Sequence, residues 1–161
     1  MRPEDSIRVK RITRVLNEFL RARRRGPSRP LDIAAYRVHG EPVPAEEAFG
    51  ADYTPFSLGA PWGPPWDTTW FRLRGTVPPE WEGQTVALGF TIGNAGSTGF
   101  GAEALVWRDG RPVQGLSPNH REYVLTTDAE ANEEVELFVE AAANPAFSVR
   151  HQPLAAAAPR A

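Results

Sequence analysis

The sequence contains no cysteine, a single lysine and three histidines among 161 residues. Without cysteine, neither a disulfide framework nor a thiolate metal site can form, which is neutral to mildly favourable for a reducing compartment. No apolar run approaches the ~20 residues that span a bilayer, and the charged first residues lack the apolar core of a signal peptide. These absences predict a cytoplasmic protein that does not cross a membrane.

The histidines and carboxylates, which most often act as catalytic groups or metal ligands, show no spacing in the sequence that indicates such a site. His39, His120 and His151 are far apart in sequence, and none has a second histidine at metal-ligand spacing. A zinc site needs three or four convergent ligands, so the sequence predicts no metal site within this chain. Carboxylates are plentiful, but spacing alone pairs none of them as acid and base. Glu134, Glu136 and Glu140 are predicted to form the solvated face of a strand.

The composition is that of one globular domain, with 41% hydrophobic and 24% charged residues. The charge is distributed unevenly. Residues 1–29 hold ten basic and three acidic side chains, a net charge of +7, whereas the remainder holds eight basic and seventeen acidic ones, a net charge of -9. A basic arm of this kind can bind nucleic acid or an anionic membrane, or lie against an acidic protein surface.

The basic arm has the pattern of an amphipathic helix that begins near Asp5 or Ser6 and ends at Gly26 and Pro27. Its apolar positions recur at helical spacing: Ile12, Val15, Leu16, Phe19 and Leu20. We expect this stripe to dock on a protein surface. Nucleic-acid or membrane binding remains the alternative, although no aromatic residue is interleaved with the arginines.

The stretch from Ala60 to Val77 organises the rest of the chain. Its prolines favour extended or turn geometry and lead into a strand with a period of two. One face of that strand carries Phe71, Leu73, Gly75 and Val77, and the other carries Trp70, Arg72, Arg74 and Thr76. This pattern indicates a strand with one buried face.

Further strands follow the same logic. They are predicted over Pro30–Val38, Thr85–Ile92, Glu103–Arg108 and Glu134–Ala141, with a two-residue hairpin turn at Asp109 and Gly110. Residues 40–59 are predicted to be irregular, and residues 93–101 to form a glycine-rich loop. Further buried positions are expected at Val113, Leu116, Tyr123 and Leu125. The predicted core consists of Phe71, Leu73, Val86, Leu88, Phe90, Leu105, Val135, Leu137 and Val139.

These elements predict a mostly β protein: an antiparallel β-sandwich of the jelly-roll or galactose-binding-like kind, with one N-terminal amphipathic helix packed on it. The expected organisation is a basic helix in residues 1–29, a sandwich in residues 30–149 and a disordered Ala/Pro tail in residues 150–161.

Candidate contact residues lie in two regions. Trp62, Trp66 and Trp107 can stack on sugar rings or pack in a core or between domains. Asn119, His120 and Arg121 lie in a polar turn, where contact with a ligand or a neighbouring domain and a purely structural role both remain possible. We expect Trp62, Trp66 and residues 118–121 to form an apolar patch that favours self-association.

Four stretches of the sequence, two of which overlap, resemble known domains. WFRLRGTVPPEWEGQTVALGF resembles sandwich domains found in many glycosidases, including the sugar-binding domain of β-galactosidases. PPWDTTWFRLRGTVP and FGAEALVWRDGRPVQGLSPNHREYVL, with VELFVEAAANP, resemble the N-terminal domain of the α-mannosidases of glycoside hydrolase family 38. Asp67, where glycine is usual, and Ala104, where glycine is common, depart from that pattern.

The resemblance implies a domain of a retaining, zinc-dependent exo-glycosidase of terminal α-mannosides. The family's metal and nucleophile residues lie in a later domain opened by a His-any-Asp motif, which this sequence does not contain. We therefore expect no catalytic residue, metal or cofactor here, and a partner that is either an α-mannosidase catalytic domain or a homologous full-length subunit. The similarity fades after Pro145, as it would in a truncated or split gene product. A stand-alone carbohydrate-binding module is the alternative function, and a nucleic-acid or anionic-surface binder is the third.

Overall fold

A computed structural model describes the backbone of residues 3–15, 26–92, 102–144 and 154–160. Two α-helices are present in these ranges, α1 (Pro3–Val15) and α2 (Ala45–Phe49), together with a short 3-10 helix at Pro79–Trp81. The strands are β1 (Arg29–Pro30), β2 (Asp32–Val38), β3 (Thr54–Pro55), β4 (Thr68–Thr76), β5 (Thr85–Thr91), β6 (Glu103–Arg108), β7 (Arg111–Leu116), β8 (Glu122–Thr126), β9 (Glu134–Ala142) and β10 (Leu154–Arg160). None of these helices is long and apolar enough to cross a membrane.

The strands form two antiparallel sheets that pack face to face. One sheet has the order β1-β10-β5-β8, and the other has the order β3-β2-β4-β9-β6-β7. The apolar residues of the two inner faces belong to one continuous core cluster. The predicted antiparallel β-sandwich is confirmed.

The centre of the larger sheet is the pair β4 and β9, and the predicted alternation is confirmed in both strands. Phe71 and Leu73 of β4 lie opposite Val139 and Leu137 of β9, and all four side chains are buried. Leu88 of β5 contributes to the same cluster from the facing sheet. Burial of this apolar surface is the main driving force for folding of the sandwich.

The outer face of β4 is also buried over part of its length. Trp70 is 1% exposed and belongs to a second apolar cluster on the opposite side of the six-stranded sheet. We call this cluster the outer layer. It consists of Val38, Ala48 and Trp70, with the partly buried Tyr36, Val43, Ala45, Phe49, Tyr53, Trp107 and Phe138.

Residues 40–59 are more ordered than the sequence predicts. They contain α2 and the short strand β3, which pairs with β2. Pro44 precedes the first turn of α2, where a missing N–H costs nothing, and Phe49 and Tyr53 anchor the segment in the outer layer. The elements of this segment are too short to show periodicity in the sequence, since α2 has five residues and β3 has two. Contacts with the sheet hold them in place.

Two predictions of the β6–β7 hairpin have different outcomes. The turn is confirmed, since Asp109 and Gly110 both have positive φ, 52° and 72°. Leu105, predicted in the core, is only partly buried because it lies on the opposite face from Ala104 and Val106.

The face of β6 is set by its register with β9, where Val106 lies opposite Val139. Val113, also predicted to be buried, is 43% exposed on the edge strand β7. Of the other predicted positions, Leu116 and Leu125 are buried and Tyr123 is partly buried.

The predicted basic helix is present as α1, but its described side chains do not pack on the sandwich. Ile12 of the predicted stripe is 60% exposed, and Ile7 and Val9 are 53% and 55% exposed. The prediction that the helix packs on the sandwich is therefore wrong for Ile12. The rest of the stripe and the arginine cluster at residues 21–25 lie outside the described side chains, as does the predicted loop at residues 93–101.

The tail predicted to be disordered contains a strand. β10 pairs with β5 from Leu154, opposite Thr91, to Arg160, opposite Thr85, and with β1 on its other edge. A run of alanines has no alternation that would reveal a strand in the sequence. Backbone hydrogen bonds to both neighbours place it all the same, because they do not depend on side-chain identity.

Candidate functional site

The proline-rich turn before β4 is fixed at one end of the sandwich. The N–H of Asp67 donates to the Pro64 carbonyl at 3.2 Å, which closes a turn over residues 64–67. The N–H of Trp66 donates to the Ala143 carbonyl at 2.8 Å, and the N–H of Ala143 donates to the Asp67 carbonyl at 3.0 Å. These bonds tie the turn to the end of β9.

Trp66 has an unusual backbone conformation for a large residue. Its φ is 75°, and it follows Pro65, so it occupies the third position of a turn with type II character. That position favours glycine, because a side chain there is strained by roughly 1–3 kcal/mol. The Trp66 side chain nevertheless points outward and is 74% exposed.

The two tryptophans of this segment lie in different environments. Trp62 is 2% exposed and packs against the Phe71 ring in a T-shaped contact with the centroids 5.8 Å apart. It belongs to the core, so its predicted place in an exposed apolar patch is wrong. Trp66 alone of the two is available to a ligand or a neighbouring domain.

A histidine–aspartate pair lies beside the same turn. His39 follows β2, and Asp67 precedes β4; since Val38 pairs with Thr68, the two side chains meet at the sheet edge. The distance from His39 Nδ1 to Asp67 Oδ2 is 2.5 Å. The Asp67 side chain is 11% exposed and that of His39 is 74% exposed. Sequence reasoning missed this pair because the residues are 28 positions apart, and only the strand register joins them.

The polar turn between β7 and β8 is stabilised by its own hydrogen bonds. Ser117 Oγ accepts from the N–H groups of Asn119 and His120, both at 3.2 Å. Arg121 Nε donates to the Pro118 carbonyl. Pro118 is buried, while Asn119 and His120 are exposed. These contacts explain the turn, and they leave the imidazole and amide groups facing solvent.

The sheet topology brings this turn and Trp66 to the same end of the sandwich. At that end of the sandwich, four adjacent strands start or finish: β4 begins, β9 ends, β6 begins and β7 ends, in this spatial order. Three strand spacings of about 4.8 Å separate the first from the last, or roughly 14 Å. The structure thus gathers Trp66, Asn119, His120 and Arg121 at one end of the sheet. Trp62 lies in the core, and Trp107 lies in the outer layer.

Trp107 belongs to the outer layer. Its ring contacts Phe49 and Trp70 with centroid distances of 5.7 and 5.8 Å, and its Nε1–H donates to Glu140 Oε2 at 3.2 Å. The Trp107 ring is thus packed against two other rings, and its N–H has a hydrogen-bond acceptor. Glu140 is therefore partly buried and hydrogen-bonded, in contrast to the exposed Glu134 and Glu136 of the same strand.

A polar groove of about 670 Å³ lies at the other end of the six-stranded sheet. Its arginines are engaged: Arg74 pairs with Glu136, and Arg108 lies 3.5 Å from Glu133 and donates to the Leu125 carbonyl at 2.7 Å. The sequence did not reveal this groove, because its residues come from four strands. Of the carboxylates that line the groove, Glu136 forms an ion pair with Arg74, and Asp109 lies 3.8 Å from Arg108.

The described side chains include no group of three or more His, Asp or Glu residues arranged to hold a metal ion. His39 has one carboxylate partner, and His120 contacts only Ser117 Oγ, at 3.5 Å, in the same turn. The zinc that the family resemblance implies therefore does not fit the part of the chain that the structure describes.

Comparison with known proteins identifies the family. Residues 29–159 match the model of the α-mannosidase jelly-roll domain, so the expectation that the similarity fades after Pro145 is wrong. Alpha-mannosidase 2C1 of Homo sapiens is 41% identical over 109 residues, which cover 66% of this chain and 10% of that protein.

Two further relatives agree. Alpha-mannosidase 2C1 of Mus musculus is 36% identical over 129 residues, which cover 78% of this chain and 12% of that protein. Alpha-mannosidase G of Dictyostelium discoideum is 27% identical over 114 residues, or 68% of this chain and 10% of that protein. The chain thus spans about a tenth of the length of the curated relatives it matches, and it belongs to the family of α-mannosidase jelly-roll domains.

Proposed function

We propose that this chain is the non-catalytic N-terminal domain of an α-mannosidase of glycoside hydrolase family 38, and that it packs against a catalytic domain outside residues 1–161. One observation carries this proposal. The jelly-roll model covers residues 29–159 of the 161-residue chain, while the match covers only 10% to 12% of relatives named as α-mannosidases. Hydrolysis of terminal α-mannosides, with zinc as the metal, is then a property of the assembled enzyme.

The described side chains support a scaffolding role. Two carboxylates at the polar groove are engaged in ion pairs, Glu136 with Arg74 and Glu133 with Arg108. The Asp67 carboxylate is buried against His39. A retaining glycosidase needs a nucleophilic carboxylate about 5–5.5 Å from a general acid. We therefore derive no catalytic step within this domain.

Carbohydrate binding is a second candidate function, and the exposure of Trp66 favours it. An indole that is 74% exposed presents a flat surface on which a sugar ring can stack. Trp62 and Trp107, the other two candidates for stacking, are taken up by the core and the outer layer. A sugar site would thus rest on one tryptophan.

Activity measurements test the leading proposal. The isolated 161-residue chain, incubated with zinc and an aryl α-mannoside, is expected to give no turnover above a buffer blank. A chimera in which residues 29–159 replace the matching segment of the human relative is expected to hydrolyse the same substrate. Turnover by the isolated chain would refute the non-catalytic role, and an inactive chimera would argue against the packing role.

The cytoplasmic location is also part of this proposal. It is supported by the cysteine-free composition, which suits a reducing compartment. A fluorescent fusion of the chain, imaged in its host cells, is expected to fill the cytoplasm; enrichment in a membrane or extracellular fraction would contradict it.

A further inference from the structure

Trp66 combines two features that do not help this domain to fold. It occupies a turn position that favours glycine, with a φ of 75°, and its side chain is 74% exposed. A strained backbone persists only when the surroundings hold it, and large exposed aromatic side chains are typical of binding surfaces. The position therefore indicates a contact with something outside the described residues.

The surroundings of Trp66 hold this conformation firmly. Pro64 and Pro65 restrict the backbone before it, and the bonds to Ala143 fix the backbone on both sides of the residue. Gly63 lies so close to the sheet that an added Cβ would approach the Ala143 Cβ to 2.8 Å. The turn is thus rigid and preorganised, which lowers the conformational entropy lost when a partner buries the Trp66 indole.

The chemistry beside Trp66 favours a protein partner over a sugar. Pro61, Pro64 and Pro65 are exposed, and their rings offer no hydrogen-bond donor. Sugar binding needs polar side chains around the stacking ring, but the Asp67 carboxylate next to Trp66 is buried and bonded to His39. The exposed polar turn with Asn119 and His120 lies about three strand spacings away, or roughly 14 Å. We call the three proline rings the prolyl rim. Together with the exposed Trp66 indole they form an apolar surface, which fits an apolar pocket that has one acceptor for the indole N–H.

We propose that Trp66 and its prolyl rim are the anchor by which this jelly-roll domain docks on the catalytic part of an α-mannosidase. This inference rests on the proposed function. It commits to that occupant because about nine-tenths of each matched relative lies outside the segment that this chain covers. The catalytic part would supply an apolar pocket that receives the indole.

The test compares the same substitution in two settings. In the isolated chain, Trp66→Gly relieves backbone strain, so the folding equilibrium constant is expected to stay unchanged or to rise by about twofold to fivefold. In the chimera, the same substitution is expected to speed proteolytic release of the jelly-roll segment at least tenfold, which is about 1.4 kcal/mol of lost docking. Trp66→Asn, which also tolerates positive φ, is expected to behave like Trp66→Gly.

Leu58→Ser is the matched control, since Leu58 is a loop residue with a 41% exposed apolar side chain. It is expected to change neither the folding equilibrium constant of the isolated chain nor the rate of proteolytic release in the chimera. If Trp66→Gly also leaves proteolytic release unchanged, or if Leu58→Ser accelerates it equally, the anchor lies elsewhere and this inference is wrong while the proposed function stands. An inactive wild-type chimera would instead contradict the proposed function itself.

Two other occupants give distinct results with the isolated chain. A dimer that Trp66→Gly converts to monomer would identify a second copy as the occupant. A change in tryptophan fluorescence on adding methyl α-mannoside, lost in Trp66→Gly, would identify a sugar. A loss of stability in isolated Trp66→Gly would show that the residue supports the fold. Each of these results would overturn the docking proposal.

Discussion

The inner core and the outer layer lie on opposite faces of the same sheet, but they are built differently. The inner core is enclosed between two sheets and contains fully buried aliphatic residues such as Leu88 and Leu137. Within the described ranges, the outer layer is covered by α2 and the loops before and after it, and it consists mainly of aromatic rings with polar groups at their edges.

The polar edges distinguish the outer layer energetically. The Tyr53 hydroxyl donates to the Ala48 carbonyl at 2.9 Å, and the Arg72 guanidinium lies 4.9 Å from the Tyr53 ring centroid. Such contacts orient the rings and tolerate partial access of water. Alternation in β4 therefore separates two buried environments around Trp70, whereas farther along the strand Arg74 and Thr76 of the same outer face are exposed.

The largest effect is expected in the inner core. Leu137→Ala removes a side chain that is 0% exposed and leaves a cavity, so it should lower the free energy of unfolding by about 3–4 kcal/mol. Urea denaturation followed by circular dichroism measures this. Val113→Ala, at a position 43% exposed, is the control and should change it by less than about 0.5 kcal/mol. A loss below about 1 kcal/mol for Leu137→Ala would contradict the enclosed core.

A smaller effect is expected in the outer layer. Phe49 contacts the rings of Trp70, Trp107 and Phe138, with centroid distances of 5.7, 5.7 and 4.8 Å. Because Phe49 itself is only partly buried, Phe49→Ala should cost about 2 kcal/mol and weaken the near-ultraviolet circular dichroism of the tryptophans. Glu46→Ala, on the exposed side of α2, should change neither. A cost equal to that of Leu137→Ala would remove the distinction between the two regions.

The smallest effect concerns pH. Burial raises the pKa of the Tyr53 hydroxyl to about 12, while Arg72 acts in the opposite direction. An unfolded tyrosine ionises near pH 10. The unfolded state therefore loses its proton first, so the contribution of Tyr53 to stability is complete below pH 10 and is lost as the pH rises toward 12.

Solvent screening limits this contribution to less than about 1 kcal/mol, because Tyr53 is only partly buried. Urea midpoints of the wild-type chain and of Tyr53→Phe, measured at pH 8.5 and pH 11, isolate it from the other titrating groups. The wild type should lose more stability than Tyr53→Phe between the two pH values. Equal losses would show that Tyr53 ionises in the outer layer as it does in water.

The elements that can be predicted from the sequence are those whose residues alternate or whose turn chemistry is specific. The inner faces of β4 and β9 and the Asp109–Gly110 turn follow from local rules of strand geometry and backbone sterics, and the structure agrees with each. The family resemblance was also carried by these strands. The candidate site was predicted less well: Trp66 is exposed as a contact residue must be, but Trp62 and Trp107 are packed inside the molecule.

Where two residues have the same local pattern, long-range contacts determine which of them is buried. Trp62 and Trp66 are four positions apart in one proline-rich segment, and Leu105 alternates with Ala104 and Val106 in one strand. Their environments depend on the register of β6 with β9, on the loop that covers the outer layer and on the bonds that turn Trp66 outward. These are contacts between residues distant in the chain, and local spacing contains no information about them.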